Sequence, residues 1–268
     1  MRVEALSIVG ADGSVTTLFE KRLSARERDE PEATARLRGE ADLLGLLGGR
    51  FTPRLIGTGE DEAGPWLRTE RIPFPTLAGR LEDAANAGKA SLDTAWIERA
   101  AFAAFAALAQ LHDASDASGP LQIVHADVTP ANIAIDDEGT HAVVLDFDLA
   151  WWRGAPARDG AFRGTVGYCA PEIARGETPT VASDLFALAA TFLHATTGSA
   201  PRQGPSLAAL LAVAAEAPLL DKLGIALPDL AARGPAHAAI VRCLAHLPCD
   251  RPASARAVLA LLSPLPLC

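Results

Sequence analysis

Two neighbouring stretches carry the residues best suited to chemistry. They are His125-Ala-Asp-Val-Thr-Pro-Ala-Asn132 and Val143-Val-Leu-Asp-Phe-Asp148. Each opens on apolar residues, which predict a buried strand or strand-like segment, and ends in polar ones, which would lie at the mouth of a cleft. Asp127, Asn132 and Asp146 offer two carboxylates and one amide oxygen. Such a hard, oxygen-only set is of the kind that holds a divalent cation through a substrate's phosphates.

The residues between these stretches predict a hairpin that would bring the three side chains together. Asn132–Ile135 and His141–Leu145 have strand character, and Asp136–Gly139 has the composition of a tight turn. Any one of the three polar residues alone is better explained as a turn-capping Asp or Asn, because both are common at strand ends. All three in register favour a shared site.

The spacing His-x-Asp-x-x-x-x-Asn, followed after a short hairpin by Asp-Phe-x, resembles the catalytic core of protein kinases. Gly164–Glu172 resembles the end of that family's activation segment, and Ser183–Ala189 resembles the helix that supports its catalytic loop. Arg251-Pro252 resembles its late Arg-Pro pair. The motifs follow the family's order across residues 121–252, which makes the resemblance far stronger than any one of them alone.

The resemblance implies an α+β, bilobal protein kinase-like fold. Residues 1–72 would form a reduced N-terminal lobe with a small antiparallel sheet and one helix. Residues 73–268 would form a larger, mostly helical C-terminal lobe that carries the catalytic and activation segments, with the proline-rich Arg71–Pro75 as a plausible hinge.

Residue patterns agree with a small sheet at the N-terminus. Val3–Val9 and Val15–Leu23 are β-rich and flank an Asp-Gly turn signal. Glu32–Leu47 has helical periodicity and stops at a Gly-Gly pair. Arg54–Ile56 and Trp66–Leu67 predict two further short strands, separated by a turn over residues 59–65.

Helices dominate the remainder of the chain. The pattern predicts helices over Thr76–Glu82, Leu92–His112 and Val181–Thr197, and further Ala/Leu-rich helices broken by prolines up to Leu262. The second of these is nearly all apolar over residues 100–111. It is too short for a membrane span, so a buried central helix is predicted.

Phosphoryl transfer depends on charge neutralisation and alignment more than on covalent chemistry. By the resemblance, Asp127 is implied as the catalytic base that accepts or orients the proton of the incoming hydroxyl. Asn132 and Asp146 are implied as ligands of the Mg²⁺ that bridges the phosphates of ATP.

Lys21 is the candidate for the lysine that steadies the α and β phosphates, and Glu40, 19 residues on, for its ion-pair partner. The alternatives are a solvated strand-end lysine and a surface helix charge. No other lysine precedes residue 89, which favours the functional role. By the same register, Thr69 would stand behind the adenine pocket, and the backbone of Glu70 and Ile72 would hydrogen-bond the adenine.

Four further residues are implied as structural supports. His125 is predicted to pack beneath the catalytic loop rather than to act as an acid or base. Asp184 is predicted to be a buried carboxylate that accepts hydrogen bonds from that loop, since an unpaired buried charge would be too costly. Glu172 and Arg251 are predicted to form an ion pair.

The sequence also departs from the family. No Gly-x-Gly-x-x-Gly precedes Lys21, so the family's first strand and phosphate-covering loop are expected to be missing. Phe19 and Glu20 replace a small and an apolar residue; a Phe that faced the adenine would crowd it, and one that faced away would be core. Thr129 replaces the lysine usual in serine/threonine kinases, which weakens the prediction of both activity and substrate class.

Other departures concern activation. Ala126 replaces the arginine that, in the family, binds an activation-loop phosphate. Leu149–Gly164 contains no Ser, Thr or Tyr. Activity is therefore predicted not to depend on phosphorylation there; a large rate gain from modifying Thr165 would contradict this. Asp148 adds a carboxylate that could strengthen metal binding or oppose nucleotide binding. Trp151-Trp152 predicts local packing or, alternatively, a plug or platform over the substrate cleft.

Composition narrows the class of protein. About half of the 268 residues are hydrophobic, which disfavours disorder, and the net charge of −9 disfavours a nucleic-acid partner. The four cysteines lack metal-ligand spacing and suggest free thiols of a reducing compartment. With no signal-peptide pattern and no membrane-length apolar run, a cytoplasmic protein without a membrane partner is expected.

The leading functional hypothesis is an ATP- and Mg²⁺-dependent kinase-like phosphotransferase that acts on Ser or Thr hydroxyls of a protein substrate. The first alternative is a pseudokinase, a nucleotide-binding or regulatory module with a protein partner. The second is a small-molecule kinase, which the resemblance of Gly164–Glu172 to an activation-segment end disfavours.

Overall fold

The computed structural model describes residues 2–9, 15–24, 27–28, 30–156, 164–216, 219 and 227–262. Within them, nine α-helices accompany one four-stranded sheet and two two-stranded sheets. The fold is α+β with two lobes, as the sequence predicts.

An antiparallel sheet in the order β1-β2-β4-β3 forms the smaller lobe together with one helix. The strands are β1 (Arg2–Val9), β2 (Val15–Arg22), β3 (Leu55–Asp61) and β4 (Gly64–Glu70), and the helix is α1 (Pro31–Leu47). The predicted β1–β2 hairpin is confirmed by continuous pairing from Arg2–Arg22 to Val9–Val15. Its Asp-Gly turn lies outside the described residues.

The predicted stop of α1 is confirmed. Gly48 adopts the left-handed conformation at φ 66° and donates its N–H to the Leu44 carbonyl, which is how helices commonly end. The prediction of a long turn over residues 59–65 is wrong, because β3 and β4 run on to Asp61 and from Gly64. Gly59 belongs to β3, where a Cβ would collide with the indole of Trp66; the glycine marks a close approach and not a turn.

The larger lobe is mostly helical. Two of its helices begin one or two residues later than predicted, each after a capping residue: Thr76 accepts from the Gly79 N–H, and Asp93 accepts from the Trp96 N–H. The elements are α2 (Leu77–Asn86), α3 (Thr94–His112), β5 (Ser115–Asp116), β6 (Gly119–Pro120), β7 (Ile133–Ile135), β8 (Ala142–Val144), α4 (Pro171–Ala174), α5 (Val181–Thr197), α6 (Leu207–Glu216), α7 (Leu227–Ala231), α8 (Pro235–Cys243) and α9 (Ala255–Leu262).

Helices α3 and α5 form the centre of this lobe. Phe105 of α3 and Phe186 and Phe192 of α5 are fully buried, so the apolar run of α3 is a core helix, as predicted. No helix among the described residues has the length and apolarity to cross a bilayer. The three cysteines that the structure describes are free.

The predicted hairpin is β7–β8, with Ile133 opposite Val144 and Ile135 opposite Ala142. Its turn is held by Asp136, whose carboxylate accepts from the backbone N–H groups of Thr140 and His141. Both strands pack on α3. Asn132 precedes the first strand and Asp146 follows the second, so the short hairpin fixes both at the same end.

Candidate active site

A cavity of about 620 Å³ lies between the four-stranded sheet and the β7–β8 hairpin. All the residues predicted for nucleotide and metal binding line it: Lys21, Glu40, Thr69, Glu70, Ile72, Asn132 and Asp146. Asp127 lies beside it, in a small adjoining pocket with Gly164 and Thr165.

Lys21 stands at the centre of the charged cluster in this cavity. Its Nζ lies 2.6 Å from Oε2 of Glu40 and 2.5 Å from Oδ1 of Asp146. Burial alone would lower the pKa of Lys21, but the charges of Glu40, Asp146 and Asp148 outweigh it and raise the pKa above its usual value. The lysine is therefore held as an ammonium ion.

Glu40 joins α1 to two parts of the site at once. One carboxylate oxygen binds Lys21, and the other accepts the backbone N–H of Phe147 at 3.1 Å. Its side chain is only 4% exposed, and burial raises its pKa. Each oxygen nevertheless receives a donor, which is the arrangement that an ionised carboxylate requires when it is buried.

Asp146 and Asn132 present oxygens suited to a divalent cation. Asp146 Oδ1 binds Lys21, and Asn132 Nδ2 donates to the carbonyl of Asp127 at 2.9 Å. Within the described part of the chain, Asp146 Oδ2 and Asn132 Oδ1 accept no hydrogen bond. Burial would raise the pKa of Asp146, but the neighbouring Lys21 overrides it and lowers the pKa, so the carboxylate is ionised.

These two oxygens fit a cation only when further ligands join them. Among the residues that the structure describes, no three His, Cys, Asp or Glu side chains cluster closely enough to hold a metal by themselves. Mg²⁺ usually takes one or two carboxylates and completes its shell with phosphates and water. The donor set therefore suits a cation that arrives with a nucleotide.

Asp127 is held by donors on both carboxylate oxygens. Oδ1 accepts the backbone N–H of Thr165 at 2.9 Å, and Oδ2 accepts Nδ2 of Asn132 at 3.2 Å. Gly164 lies directly against it, since a Cβ there would meet Oδ1 at 3.4 Å. The carboxylate is half-buried, and these contacts fix its direction.

Asp184 organises the loop beneath Asp127. It is 1% exposed and accepts the N–H groups of His125 and Ala126 at 2.7 and 2.9 Å. Nε2 of His112 lies 2.9 Å away as a third partner, which the sequence reasoning missed. Ala126 has φ 66°, a left-handed conformation that these bonds hold in place.

His125 occupies a packing position. It is fully buried, its Nε2 lies 2.9 Å from the Leu145 carbonyl, and its ring meets the ring of Phe147 edge-on at 5.0 Å. Its Nδ1 accepts the Asp127 N–H at 3.3 Å. Both ring nitrogens are therefore engaged with the protein.

Glu172 and Arg251 form a buried, two-pronged ion pair at 2.6 and 2.8 Å. The guanidinium also donates to the carbonyls of Ala182, Ala245 and His246. The pair ties the end of the activation segment to the start of α5 and to the segment before α9.

Phe19 contributes to the roof of the cavity, and Glu70 and Ile72 contribute to its hinge side. Of the two orientations open to Phe19, the structure shows the one that faces the cavity, opposite Thr69 in the β2–β4 ladder. The N–H of Glu70 donates to the Arg54 carbonyl at 3.0 Å, so this group is not free for a nucleotide. Within the described part of the chain, the backbone of Ile72 makes no hydrogen bond.

Glu20 lies in the same strand as Phe19 but on the opposite face. It is 5% exposed and forms ion pairs with Arg22 and Arg68. Burial would raise its pKa, but the two arginines outweigh that effect and lower the pKa. A charged residue thus stands at a position where the family has an apolar one, because two cations compensate it.

The paired tryptophans pack locally. The backbone of Trp151 bridges Val124 through two 2.8 Å hydrogen bonds, and Trp152 packs against the core. Neither side chain lines this cavity or the neighbouring one that Thr129 and Thr165 border, which favours the packing interpretation over a plug or platform. Asp148 contacts α1, with Oδ1 3.4 Å from Nε of Arg36, a partner that the sequence reasoning missed.

Comparison with known families and proteins agrees with this geometry. The protein kinase domain family matches residues 15–252. The serine/threonine-protein kinase PknK of Mycobacterium tuberculosis is 36% identical over 137 residues, which cover 49% of this chain and 12% of PknK. PknF of the same species is 35% identical over 48% of this chain and 28% of its own length.

A third relative is the DNA damage-responsive serine/threonine-protein kinase RqkA of Deinococcus radiodurans, with 37% identity over 41% of this chain and 17% of RqkA. The chain thus matches less than a third of the length of each of these proteins. Together, the match over residues 15–252 and the arrangement of the cavity show that the chain belongs to the protein kinase family.

Proposed function

We propose that the chain is an ATP- and Mg²⁺-dependent serine/threonine protein kinase whose activity does not require phosphorylation of its activation segment. The contact of Lys21 with both Glu40 and Asp146 carries this proposal, because it sets an ammonium ion beside two free oxygens in one cavity. The relatives named above are serine/threonine kinases, which supports Ser or Thr hydroxyls of a protein as the acceptor.

Each residue has a distinct part in the proposed reaction. Lys21 binds the α and β phosphates, while Thr69, Glu70 and Ile72 border the adenine. Asp127 accepts the proton of the substrate hydroxyl. The hydroxyl oxygen then bonds to the γ-phosphorus, and the bond from that phosphorus to ADP breaks.

Asn132 and Asp146 would hold the cation. Mg²⁺ at these oxygens supplies neutralisation of the phosphate charge. Glu40 fixes the direction of Lys21, and Asp184 fixes the loop that carries Asp127.

A second cavity of about 430 Å³ is the natural place for the protein substrate. It adjoins the catalytic loop at Thr129 and Ala131 and the activation segment at Thr165. Across it, the hydroxyl of Tyr168 lies 2.8 Å from Nδ1 of His194. Asp127 hydrogen-bonds one lining residue of each cavity, Thr165 of the groove and Asn132 of the nucleotide cavity, which suits transfer between two bound substrates.

Independence from activation-segment phosphorylation gives a direct prediction. Ala126 offers no guanidinium for a phosphate, and the Thr165 N–H already binds Asp127. We expect phosphatase treatment and the substitution Thr165→Val to leave the initial rate of transfer unchanged. The rate is measured with a generic Ser/Thr protein substrate. A large loss after phosphatase treatment would contradict the prediction.

A pseudokinase is the second candidate, and Phe19 favours it. The ring occupies part of the roof over the adenine position, where bulk would weaken nucleotide binding. Transfer of the γ-phosphoryl group to protein Ser or Thr, measured with labelled ATP and Mg²⁺, separates the two functions. Binding of ATP without transfer to any protein substrate would favour the pseudokinase; phosphoserine or phosphothreonine in the product supports the kinase.

A further inference from the structure

The segment Asp146–Asp148 contacts α1 at two points that lie one helical turn apart. Glu40 accepts the Phe147 N–H, and four residues earlier Arg36 reaches Asp148 with Nε 3.4 Å from Oδ1. Residues four apart lie on the same face of a helix. The side chains of Arg36 and Asp148 are only 11% and 20% exposed, so water screens this pair little.

The Arg36–Asp148 pair affects the balance of charge around Lys21. Asp148 adds a third carboxylate near Lys21, beside Glu40 and Asp146, so one ammonium ion would face three negative charges. The guanidinium of Arg36 compensates the added one and draws it towards α1. This contact ties Asp148 to α1.

A further contact joins α1 to the activation segment directly. Gly39 packs on Pro156 so closely that a Cβ at this position would lie 2.9 Å from Cδ of the proline. The chain has Ala126 and no hydroxyl residue over 149–164, so the position of α1 cannot depend on a phosphate in that stretch. In place of a phosphate, the contacts with residues 147, 148 and 156 fix the position of α1.

We propose that Arg36 and Asp148 form a built-in clamp that holds α1 in the position where Glu40 binds Lys21. Both are positioning residues, since they act on the phosphate-binding lysine through α1 and through the Asp146–Asp148 segment. The clamp takes the place of activation-segment phosphorylation. The inference rests on the proposed kinase function for its effect on catalysis, but its structural part does not.

A double-mutant cycle tests the clamp. The variants are Arg36→Gln, Asp148→Asn and the double substitution, each of which removes charge while it keeps a polar side chain. Arg38→Gln is the matched control, because Arg38 lies on the exposed side of α1, with 67% of its side chain exposed. The first readout is amide hydrogen exchange at Phe147, measured without nucleotide; the second is KM for ATP, separate from kcat.

We expect each single substitution to speed exchange at Phe147 and to raise KM for ATP by roughly tenfold, within the range of coupled neighbouring residues. The double variant should be no worse than either single variant, and Arg38→Gln should match the wild type. Additive effects, or single variants that match Arg38→Gln, would overturn the clamp. A wild type that transfers no phosphate would instead overturn the proposed function, and the exchange data would still decide on the clamp.

Discussion

Asp127→Ala is expected to lower kcat by about 10²–10⁴-fold, the range that a positioned general base contributes. The carboxylate is the proton acceptor in the proposed transfer, and both of its oxygens are fixed by donors from Thr165 and Asn132. It does not line the main cavity, so the affinity for ATP should change little. Initial rates and ATP binding are measured on the same preparations.

A matched control for this variant is Asp137→Ala. Asp137 lies in the β7–β8 turn, 84% exposed, where it pairs with Arg80. Its loss should leave kcat at the wild-type value. Transfer by Asp127→Ala at the wild-type rate would remove Asp127 from the mechanism.

Glu172→Ala is expected to lower the free energy of unfolding by about 3–5 kcal/mol, as when one partner of a buried ion pair is removed. The substitution leaves the guanidinium of Arg251, which is 5% exposed, without a counter-charge. Domains are stable by only about 5–15 kcal/mol, so the loss is a large fraction of the total. Urea unfolding of the ligand-free protein measures it, with the m-value as a check on two-state behaviour.

The control for stability is Glu177→Ala. It breaks the pair between Arg175 and Glu177, which has a similar 2.9 Å separation but lies at the surface. Exposed pairs of this kind contribute about 0–1 kcal/mol. If Glu172→Ala proved as stable as Glu177→Ala, the buried pair would not hold the activation segment to α5.

The fold and the residues close along the chain follow well from the sequence. Asn132 and Asp146 are joined by one short hairpin, so their spacing alone restricts them to the same end of it. Lys21 and Glu40 were predictable because the pattern of β2 is typical of a strand and that of α1 is typical of a helix. In addition, no other lysine precedes residue 89. Each of these inferences needs only local pattern and chain length.

Contacts between distant elements could not be predicted in the same way. The alternation of β2 places Phe19 and Glu20 on opposite faces, but it does not say which face meets the cavity. That choice depends on Arg68 of β4, which neutralises Glu20 only after the strands pair. Arg36 reaches Asp148 across 112 residues, and a helix pattern shows its face but not its partner.

The role of Gly59 could not be predicted from its residue type for a related reason. Gly59 suggested a turn because turns favour glycine, whereas its role in β3 is to admit the indole of Trp66. A glycine chosen for space and one chosen for conformation look alike in a sequence. Only Gly48, which follows a clear helical pattern, could be assigned by its position.

The most direct measurement is the affinity for a non-hydrolysable ATP analogue, determined by calorimetry with and without Mg²⁺. We expect Mg²⁺ to tighten binding to the wild type, Asp146→Asn to lose this gain, and Glu40→Gln, which leaves both proposed cation ligands in place, to keep it. Equal affinity with and without Mg²⁺ in the wild type, or an undiminished gain in Asp146→Asn, would contradict this expectation.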